Sequence, residues 1–447
     1  MLSIFRNIAC AFLVACLIFF GGHGHAAESQ LPIIFVHGNG DTAGLWITAI
    51  WRFESNGYPR ELLHAVDLRY PLARSVDDKW QAGRSSASDV MVQLAEEVER
   101  VRQRTGADKV LLVAQSRGGN TVRNYLKNGN GSSRVAAVVL CGAVNHGVIF
   151  SEQHLLGSEF NGASAFMKDL NSTPGEIIAG VRFMTIRSDT NDKYAQPDGR
   201  FIGLPNVATG LGYDAPELKG ATNIVLTGVD HRETGYGPAA FEAMYRFITG
   251  GEPKTLEIVR DTQVTLNGKI SGFESGAATN IGIGEATLTI FRVSPQTGVR
   301  LGPAVHRKTT ADDGLWGPFR ADADTSYEFV LEAPGYPVTH IYRSPFPRSS
   351  SVVHLRPQMF AKDDGPAGAV VYMSRPRGYF GLGRDKVLLD GSPPPGITPG
   401  VPSVSSARLA FPADPQRSVV GRFNDEQIAA LTWPRQANHV SVIELTY

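Results

Sequence analysis

Cysteine is scarce in this chain, with 3 residues among 447. Cys10 and Cys16 lie in an apolar N-terminal segment, so removal of that segment would leave Cys141 alone. A single thiol cannot form an internal disulfide, and the mature fold is expected to hold without one. An excess of charge of one sign is also missing, because 43 Lys and Arg match 43 Asp and Glu. Without a net charge to create a long-range electrostatic field, there is no reason to expect nucleic acid as a partner.

A permanent membrane helix is not indicated at the N-terminus. Arg6 precedes an apolar run over residues 8–20, whereas a membrane-spanning helix needs about 20 apolar residues. Small residues follow the run and end at Ala26-Ala27, which is typical of a secretory signal peptide. We therefore predict that residues 1–27 are removed and that the protein is secreted or periplasmic. An uncleaved anchor and lipidation at Cys16 are the alternatives.

Metal-binding and phosphate-binding motifs are missing from the predicted mature sequence. No pair of His or Cys residues has zinc-like spacing with a third ligand nearby. Gly38-Asn39-Gly40 is rich in glycine, but no Lys-Ser or Lys-Thr follows it, as a phosphate-binding loop requires. The sequence therefore predicts neither a metal site nor a cofactor.

The first half of the chain has the pattern of an α/β domain. Hydrophobic residues make up 42% of the chain, which is enough for a substantial core. Between residues 31 and 250, short apolar runs alternate with segments of helical periodicity, as in a largely parallel sheet with helices on both faces. We predict this α/β domain over residues 28–251. The expected strands are residues 32–37, 63–67, 110–114, 135–141, 181–188 and 223–227.

Helical periodicity disappears after Gly250-Gly251. The short apolar segments that follow are separated by Gly, Pro or Asp turns, and they predict an antiparallel β-sandwich or barrel module over residues 252–362. Residues 363–447 are richer in Pro and Gly, as in Ser392-Pro393-Pro394-Pro395-Gly396. This last region either completes the β module or forms a third unit.

One serine lies where a strand is expected to turn sharply into a helix. Ala114-Gln115-Ser116-Arg117-Gly118 joins the predicted strand 110–114 to a predicted helix over residues 119–128. Small residues at positions 114 and 118 allow such a turn, which exposes a nucleophilic hydroxyl at the carboxyl edge of the sheet. Ala114 replaces the usual glycine and is the next smallest residue. The context favours Ser116 as a nucleophile over a simple turn residue.

A base and a carboxylate are expected on later loops at the same edge. His231 follows the last predicted strand and precedes the final helix, with His146 as the main alternative base. The carboxylate is expected after strand 181–188. Asp192 is favoured there because Lys-Tyr-Ala-Gln-Pro follows it, and Asp189 is the alternative. The aspartate without this role would be a turn residue that accepts backbone N–H groups.

Two backbone amides are predicted to stabilise an oxyanion. The first strand ends in His37-Gly38-Asn39-Gly40-Asp41, so the N–H of Asn39 can approach the serine. The N–H of Arg117 directly follows the nucleophile and would bind the same oxygen. His37 is interpreted as a structural residue of this loop and not as a catalytic one.

These motifs carry a family resemblance. Val36-His37-Gly38, the stretch around Ser116 and Gly228-Val229-Asp230-His231 resemble secreted Bacillus-type triacylglycerol lipases of the α/β-hydrolase superfamily, which also have Ala at the first motif position. The junction from Gly250 into residues 263–268 is similar to that of an archaeal lipase with a C-terminal β-barrel domain. Arg117 stands where the Bacillus-type pattern has Met, so the resemblance implies no acyl-chain preference.

The predicted function is that of a secreted serine carboxylic-ester hydrolase, a lipase or esterase, which forms an acyl-enzyme on Ser116. An ester or lipid is the expected substrate, with transient contact at a lipid interface, and the sequence leaves the oligomeric state open. The alternatives are a hydrolase of polymeric esters or an acyltransferase on the same fold, and a non-catalytic surface-binding protein built on the β module. Residues 145–179 are interpreted as a lid, or else as an extra helix packed against the sheet.

Overall fold

The computed structural model of the chain describes residues 30–412 and 416–447. The predicted signal peptide, residues 1–27, lies outside the described residues. Six parallel strands form the central sheet of the first half: β1 Ile33–Val36, β2 Leu63–Val66, β3 Val110–Gln115, β4 Val135–Cys141, β5 Arg182–Ser188 and β6 Thr222–Leu226. Their order is β2-β1-β3-β4-β5-β6. The α/β prediction is confirmed, and all six expected strands form, with end points that differ by one residue at most.

Helices cover both faces of this sheet, because apolar side chains point alternately to either side of each buried strand. One face packs against α2 and α3, and the other against α1, α5 and α6. A Ser86 capping box begins α2, and Gly106 ends it in the left-handed conformation at φ 71°. The helices are α1 Ile47–Ser55, α2 Ala87–Thr105, α3 Arg117–Asn128, α4 Ala165–Leu170, α5 Glu233–Tyr236 and α6 Pro238–Thr249.

The second half consists of β-strands in several sheets. The strands are β7 Val264–Lys269, β8 Ser271–Glu274, β9 Ala277–Gly282, β10 Thr287–Val293, β11 His306–Thr309, β12 Leu315–Ala321, β13 Ser326–Glu332, β14 Val338–Arg343, β15 Ala369–Ser374, β16 Val387–Leu389, β17 Ser406–Phe411, β18 Ser418–Phe423, β19 Glu426–Leu431 and β20 His439–Glu444. The largest sheet has the order β11-β10-β13-β14-β20-β15-β17. Smaller sheets pair β7 with β12, β8 with β9, and β18 with both β16 and β19.

Strand β20 links the two predicted C-terminal segments. It lies between β14 and β15 and runs parallel to both. The strands within residues 252–362 pair antiparallel with one another, as predicted. The parallel pairs involve β20, because a chain that returns to the middle of a sheet can pair with neighbours of either direction. Strands from residues 252–362 and from residues 363–447 thus share one sheet.

The two halves meet through a common apolar core. Ile47 and Trp51 of α1 are buried in the same cluster as Leu266 and Phe346 of the second half. The indole Nε1 of Trp51 also donates a hydrogen bond to the carbonyl oxygen of Ser349, at 2.8 Å. The chain from Leu31 to Tyr447 accordingly forms one compact unit. Within the described residues, no helix is long and apolar enough to cross a membrane.

Candidate active site

Ser116 occupies the sharp turn between β3 and α3. Its backbone has φ 54° and ψ −123°, a conformation that a residue with a side chain adopts only under strain. A Cβ atom added at Gly118 would lie 2.7 Å from the carbonyl oxygen of Val36 and 2.8 Å from that of His37. Only glycine allows α3 to approach β1 so closely. The small residues around Ser116 are therefore required by the turn.

Asp192 and His231 come together although they are 39 residues apart in sequence. The Nδ1 atom of His231 lies 2.8 Å from Oδ2 of Asp192, and both side chains are buried. The other oxygen of Asp192, Oδ1, accepts the backbone N–H of Tyr194 at 2.8 Å. A carboxylate fixed in this way holds the imidazole with Nδ1 protonated and leaves Nε2 free to accept a proton.

The other aspartate of this loop, Asp189, serves the backbone. Its Oδ1 accepts the N–H groups of Thr190 and Asn191, at 2.6 and 3.2 Å, and its Oδ2 accepts that of Gly228, at 3.0 Å. These contacts tie the loop after β5 to the loop after β6. The structure thus places Asp192, and not Asp189, against His231. The alternative base, His146, instead binds the carbonyl oxygen of Ala215 and the carboxylate of Glu176.

The loop after β1 reaches the same place. Asn39 lies beside Ser116 in the wall of one cavity, and its side-chain oxygen accepts the N–H of Ala73 at 2.8 Å, which fixes the loop. Arg117 is the first residue of α3, so its N–H has no acceptor within the helix. Both predicted amides therefore belong to segments that meet at the serine.

His37 holds this loop from inside the protein. Its Nδ1–H donates to the carbonyl oxygen of Gly38 at 2.9 Å, and its Nε2 accepts the N–H of Leu68 at 3.1 Å. Burial lowers the pKa of His37 below its usual value, which favours this neutral form. The side-chain amide of Asn280, from β9, also reaches Nε2 at 3.3 Å. His37 is a structural residue, and the β half contributes to its surroundings.

Ser116 and His231 line a cavity of about 220 Å³. Both apolar and polar side chains line it. The apolar lining residues are Val144, Val148, Leu155, Phe160 and Ile202. The polar and tyrosine side chains of the lining include Asn39, Asp41, Arg232, Tyr194 and Tyr379. Tyr379 lies beyond residue 363, in the region whose role the sequence left open.

The segment 145–179, interpreted as a lid, is fastened to α3 by two buried arginines. Arg117 binds the carboxylate of Glu159 through Nε at 2.5 Å and Nη2 at 3.1 Å. Arg123 donates to the carbonyl oxygens of Asn145 and Leu170, at 3.0 and 3.1 Å. Three apolar side chains of the segment, Phe150, Leu155 and Leu156, are exposed. The buried contacts with α3 and these exposed side chains combine features of both sequence interpretations, and lid motion stays a prediction.

The sequence analysis missed several charged residues that surround His231. Asp230 and Arg232 flank it in sequence, and Arg232 forms an ion pair with Asp41 of the loop after β1. Arg375 and Arg384, from the far C-terminal region, bind Asp230 and Glu233. The only local signal was the position of Asp230 next to His231. Nothing in the sequence pairs residue 230 with residue 375.

Comparison with known families agrees with this fold. Residues 32–203 match the family described as the alpha/beta hydrolase fold, and residues 262–360 match the family described as the lipase C-terminal domain. The first half of the chain is an α/β-hydrolase domain. The predicted family resemblance is confirmed for both halves. The segment that carries Tyr379, Arg375 and Arg384 lies outside both matched ranges of this α/β-hydrolase.

Solved structures similar to this α/β-hydrolase include proteins described as lipases. Lipase B of Aspergillus fumigatus is 16% identical, with a TM-score of 0.37, and the match covers 53% of this chain and 56% of that one. The mature form of the Bacillus licheniformis lipase BlEst2 is 20% identical, with a TM-score of 0.36, over 51% of this chain and 95% of that one. Its propeptide form is 15% identical, with a TM-score of 0.37, over 92% and 94%.

Metal ligands are not clustered in the described part of this α/β-hydrolase. Residues 30–412 and 416–447 contain no group of three or more His, Cys, Asp or Glu side chains arranged to hold a metal ion. The remaining thiol, Cys141, is buried at the end of β4, and burial raises its pKa. A thiol of this kind is inert toward metals and oxidants.

Proposed function

We propose that this α/β-hydrolase is a secreted serine carboxylic-ester hydrolase, a lipase or esterase, that acts through an acyl-enzyme on Ser116. The observation that carries the proposal is the 2.8 Å hydrogen bond from Asp192 to His231, because His231 lines the same cavity as Ser116. A nucleophile and a base in one cavity, with a carboxylate that orients the base from behind, suit acyl transfer. A surface-binding protein has no use for this arrangement.

In the first half of the proposed reaction, Oγ of Ser116 attacks the carbonyl carbon of the ester. Nε2 of His231 takes the hydroxyl proton as the bond forms, and the carbonyl oxygen becomes an oxyanion. The N–H groups of Asn39 and Arg117 donate hydrogen bonds to that oxyanion. When the ester C–O bond breaks, the imidazolium gives its proton to the departing alcohol, and the acyl group stays on Ser116.

In the second half, water replaces the alcohol. Nε2 of His231 accepts a proton from the water molecule while its oxygen attacks the acyl carbon. The second tetrahedral intermediate collapses, the proton returns to Oγ of Ser116, and the carboxylic acid leaves. Asp192 stays ionised throughout and stabilises the imidazolium through Nδ1. The chain's own residues supply every step, so the proposed reaction uses no cofactor.

The cavity lining suits the two parts of an ester. Its apolar residues, such as Val148 and Phe160, are suited to an acyl chain, because burial of each CH₂ group contributes about 0.8 kcal/mol. Its polar residues, such as Asp41, Arg232 and Tyr379, are suited to the alcohol. A cavity of about 220 Å³ encloses a short or medium acyl chain and leaves a longer one to extend past Leu155 at the rim.

Lipid contact is proposed at that rim. Phe150, Leu155 and Leu156 expose 52%, 43% and 47% of their surface, and Leu155 also lines the cavity. Exposed apolar side chains in one segment are costly in water and gain free energy at a lipid surface. Replacement of Leu155 and Leu156 by Ser should reduce hydrolysis of emulsified triglyceride more than that of a soluble butyrate ester. Equal losses of activity on both substrates would exclude contact of these residues with a lipid surface.

A serine-reactive fluorophosphonate probe tests the proposed mechanism. The intact protein should be labelled once and inactivated, and the Ser116→Ala variant should be neither labelled nor active. A chain-length series of p-nitrophenyl esters followed by emulsified triglyceride then separates an esterase from a lipase. Labelling of the Ser116→Ala variant would reject Ser116 as the nucleophile. Recovery of the protein outside the cytoplasm with residues 1–27 removed tests the proposed export.

A further inference from the structure

The residue before His231 is held by the far C-terminal region. Asp230 is fully buried, and its Oδ1 accepts the N–H groups of Arg232 and Glu233, at 2.8 and 3.0 Å. Its Oδ2 accepts the N–H of Tyr379 at 2.7 Å and Nη1 of Arg375 at 2.8 Å. A single carboxylate therefore fixes the backbone on both sides of His231 and binds it to residues 375–379.

Arg375 uses all five of its N–H donors in this network. Nη1 donates to Asp230 and to the carbonyl oxygen of Tyr379, at 2.8 and 2.7 Å. Nη2 donates to Glu233 at 2.5 Å and to the hydroxyl of Tyr236 at 3.1 Å. Nε donates to the carbonyl oxygen of Tyr447 at 2.8 Å. A planar guanidinium with every donor paired defines the positions of its partners far more tightly than an ammonium group does.

Arg384 balances the remaining charge of the cluster. Its Nη1 donates to Glu233 at 2.7 Å, and its Nη2 lies 3.6 Å from Oδ2 of Asp230. Its Nη2 and Nε also bind the carboxylate of Asp385, at 2.7 and 3.0 Å, so two guanidiniums face three carboxylates. Burial by itself would raise the pKa of Asp230, but the charges of Arg375 and Arg384 outweigh burial and lower it. The carboxylate of Asp230 is therefore ionised, and its charge has two cationic partners, as burial requires.

We propose that Arg375 is a positioning residue for His231, which it orients through Asp230 and Glu233 from outside the α/β half. This inference rests on the proposed function, because it concerns the base of that reaction. The imidazole itself is held by Asp192, and its backbone carbonyl accepts hydrogen bonds from Gln115 and Thr234, at 3.1 and 2.7 Å. Arg375 fixes the residues on either side of it. A helix of only four residues, α5, follows the loop and provides little rigidity of its own.

The consequence is that the C-terminal region is part of the catalytic apparatus. Arg375 directly follows β15, a strand inside the largest sheet, so its backbone is anchored by that sheet. The rigid element that supports the loop of His231 is thus distant in sequence, since Arg375 and Asp230 are 145 positions apart. Misplacement of a catalytic group by about 1 Å can cost about 100-fold in rate.

The test compares Arg375→Lys with a matched variant of another buried arginine. Arg343→Lys is the control, because Arg343 is buried in the same sheet and binds Glu444, which belongs to β20. We expect Arg375→Lys to lower kcat by about 10- to 100-fold with KM nearly unchanged. The Arg343→Lys protein should lose about as much thermal stability as the Arg375→Lys protein, but it should keep its kcat. Glu233→Gln, a milder change in the same cluster, should lower kcat in the same direction by a smaller factor.

A second measurement reports on His231 without any activity. In a Ser116→Ala background, the ¹⁵N shifts of His231, assigned with a His231→Gln variant, give the tautomer of the ring. Nδ1–H should dominate in the parent, and a mixture should appear after Arg375→Lys. An unchanged tautomer with an unchanged kcat, or equal kcat losses in Arg375→Lys and Arg343→Lys, would overturn the proposal. If the intact protein hydrolyses no ester, the proposed function fails, and the tautomer still decides the role of Arg375.

Discussion

The guanidinium of Arg117 and the carboxylate of Glu159 form a buried ion pair in which each side chain is only 1% exposed. The backbone of Arg117 begins α3 directly after Ser116, so one residue joins the proposed oxyanion amide to segment 145–179. Nη1 of Arg117 also donates to Pro71 and Ser85, and Nη2 donates to Ser85. The residue that departs from the Bacillus-type Met thus fastens a segment that contributes Val148, Leu155 and Phe160 to the cavity of Ser116.

This pair predicts strong coupling between two substitutions. Glu159→Gln leaves a buried guanidinium without its counter-charge, and Arg117→Met leaves a buried carboxylate, so each should lower the free energy of unfolding by about 3 kcal/mol or more. The double variant Arg117→Met/Glu159→Gln should lose clearly less than the sum of the two single losses. Urea unfolding of the four proteins measures the coupling. Additive losses would show that the two side chains contribute independently.

Ser116→Ala and His231→Ala should each lower ester hydrolysis by at least about a thousandfold, because the members of such a triad act as a unit. The double variant should lose no more than either single variant. Steady-state kinetics on a soluble ester and far-UV circular dichroism separate loss of chemistry from loss of fold. Full activity in the Ser116→Ala protein would falsify the mechanism.

The two aspartates after β5 should respond differently to removal of their charge. Asp192→Asn disturbs the imidazole tautomer and should lower kcat by about a thousandfold or more. Asp189→Asn keeps one acceptor oxygen for the backbone amides and should mainly lower thermal stability. Kinetics and thermal unfolding of both variants check this. A nearly silent Asp192→Asn with a severe Asp189→Asn would reverse the assignment.

Tyr379 should influence which esters fit. Its ring lines the cavity of Ser116 and lies under two cations, Lys193 at 4.3 Å and Arg232 at 4.8 Å from its centroid. Tyr379→Ala opens this wall and should raise kcat/KM for bulky esters relative to acetate by about tenfold. Tyr379→Phe keeps the wall and should leave the ratio unchanged. If the ratio of kcat/KM for bulky esters to that for acetate is the same in both variants, the Tyr379 ring does not help to select the ester.

Lys193 gives stability a pH dependence. Burial, followed by the charge of Arg232, lowers the pKa of Lys193 to about 8 from its usual 10.5. Between these values the unfolded chain carries a proton that the folded protein lacks, so the contribution of Lys193 to stability rises with pH across this window. Relative to Lys193→Met, the wild-type protein should gain free energy of unfolding between pH 8 and 10. A constant difference in urea titrations would contradict the lowered pKa.

Much of the α/β half could be predicted because its signals are local. The expected strand 135–141 matches β4 residue for residue, since a buried strand reads as one uninterrupted apolar run. The same holds for the turn at Ser116, where strand, small residues and helix are adjacent in sequence. The second half was harder. Residues 352–355 are one of the short apolar segments of the predicted β module, but they form only an isolated bridge at Leu355, because such a segment can hydrogen-bond to β7 at single residues without becoming a strand.

The turn at Ser116, the chain order of the serine, an aspartate and His231, and the change from α/β to β architecture near residue 250 could all be predicted from the sequence. Each depends on neighbouring residues, on the period of apolar positions or on chain order. The contacts of Asp192 with His231, of Glu159 with Arg117 and of Arg375 with Asp230 became visible only in the folded protein. These contacts join distant parts of the chain, and a charge has no periodicity that would reveal its partner. They follow from the sheets that bring those parts together, and burial makes each pairing necessary.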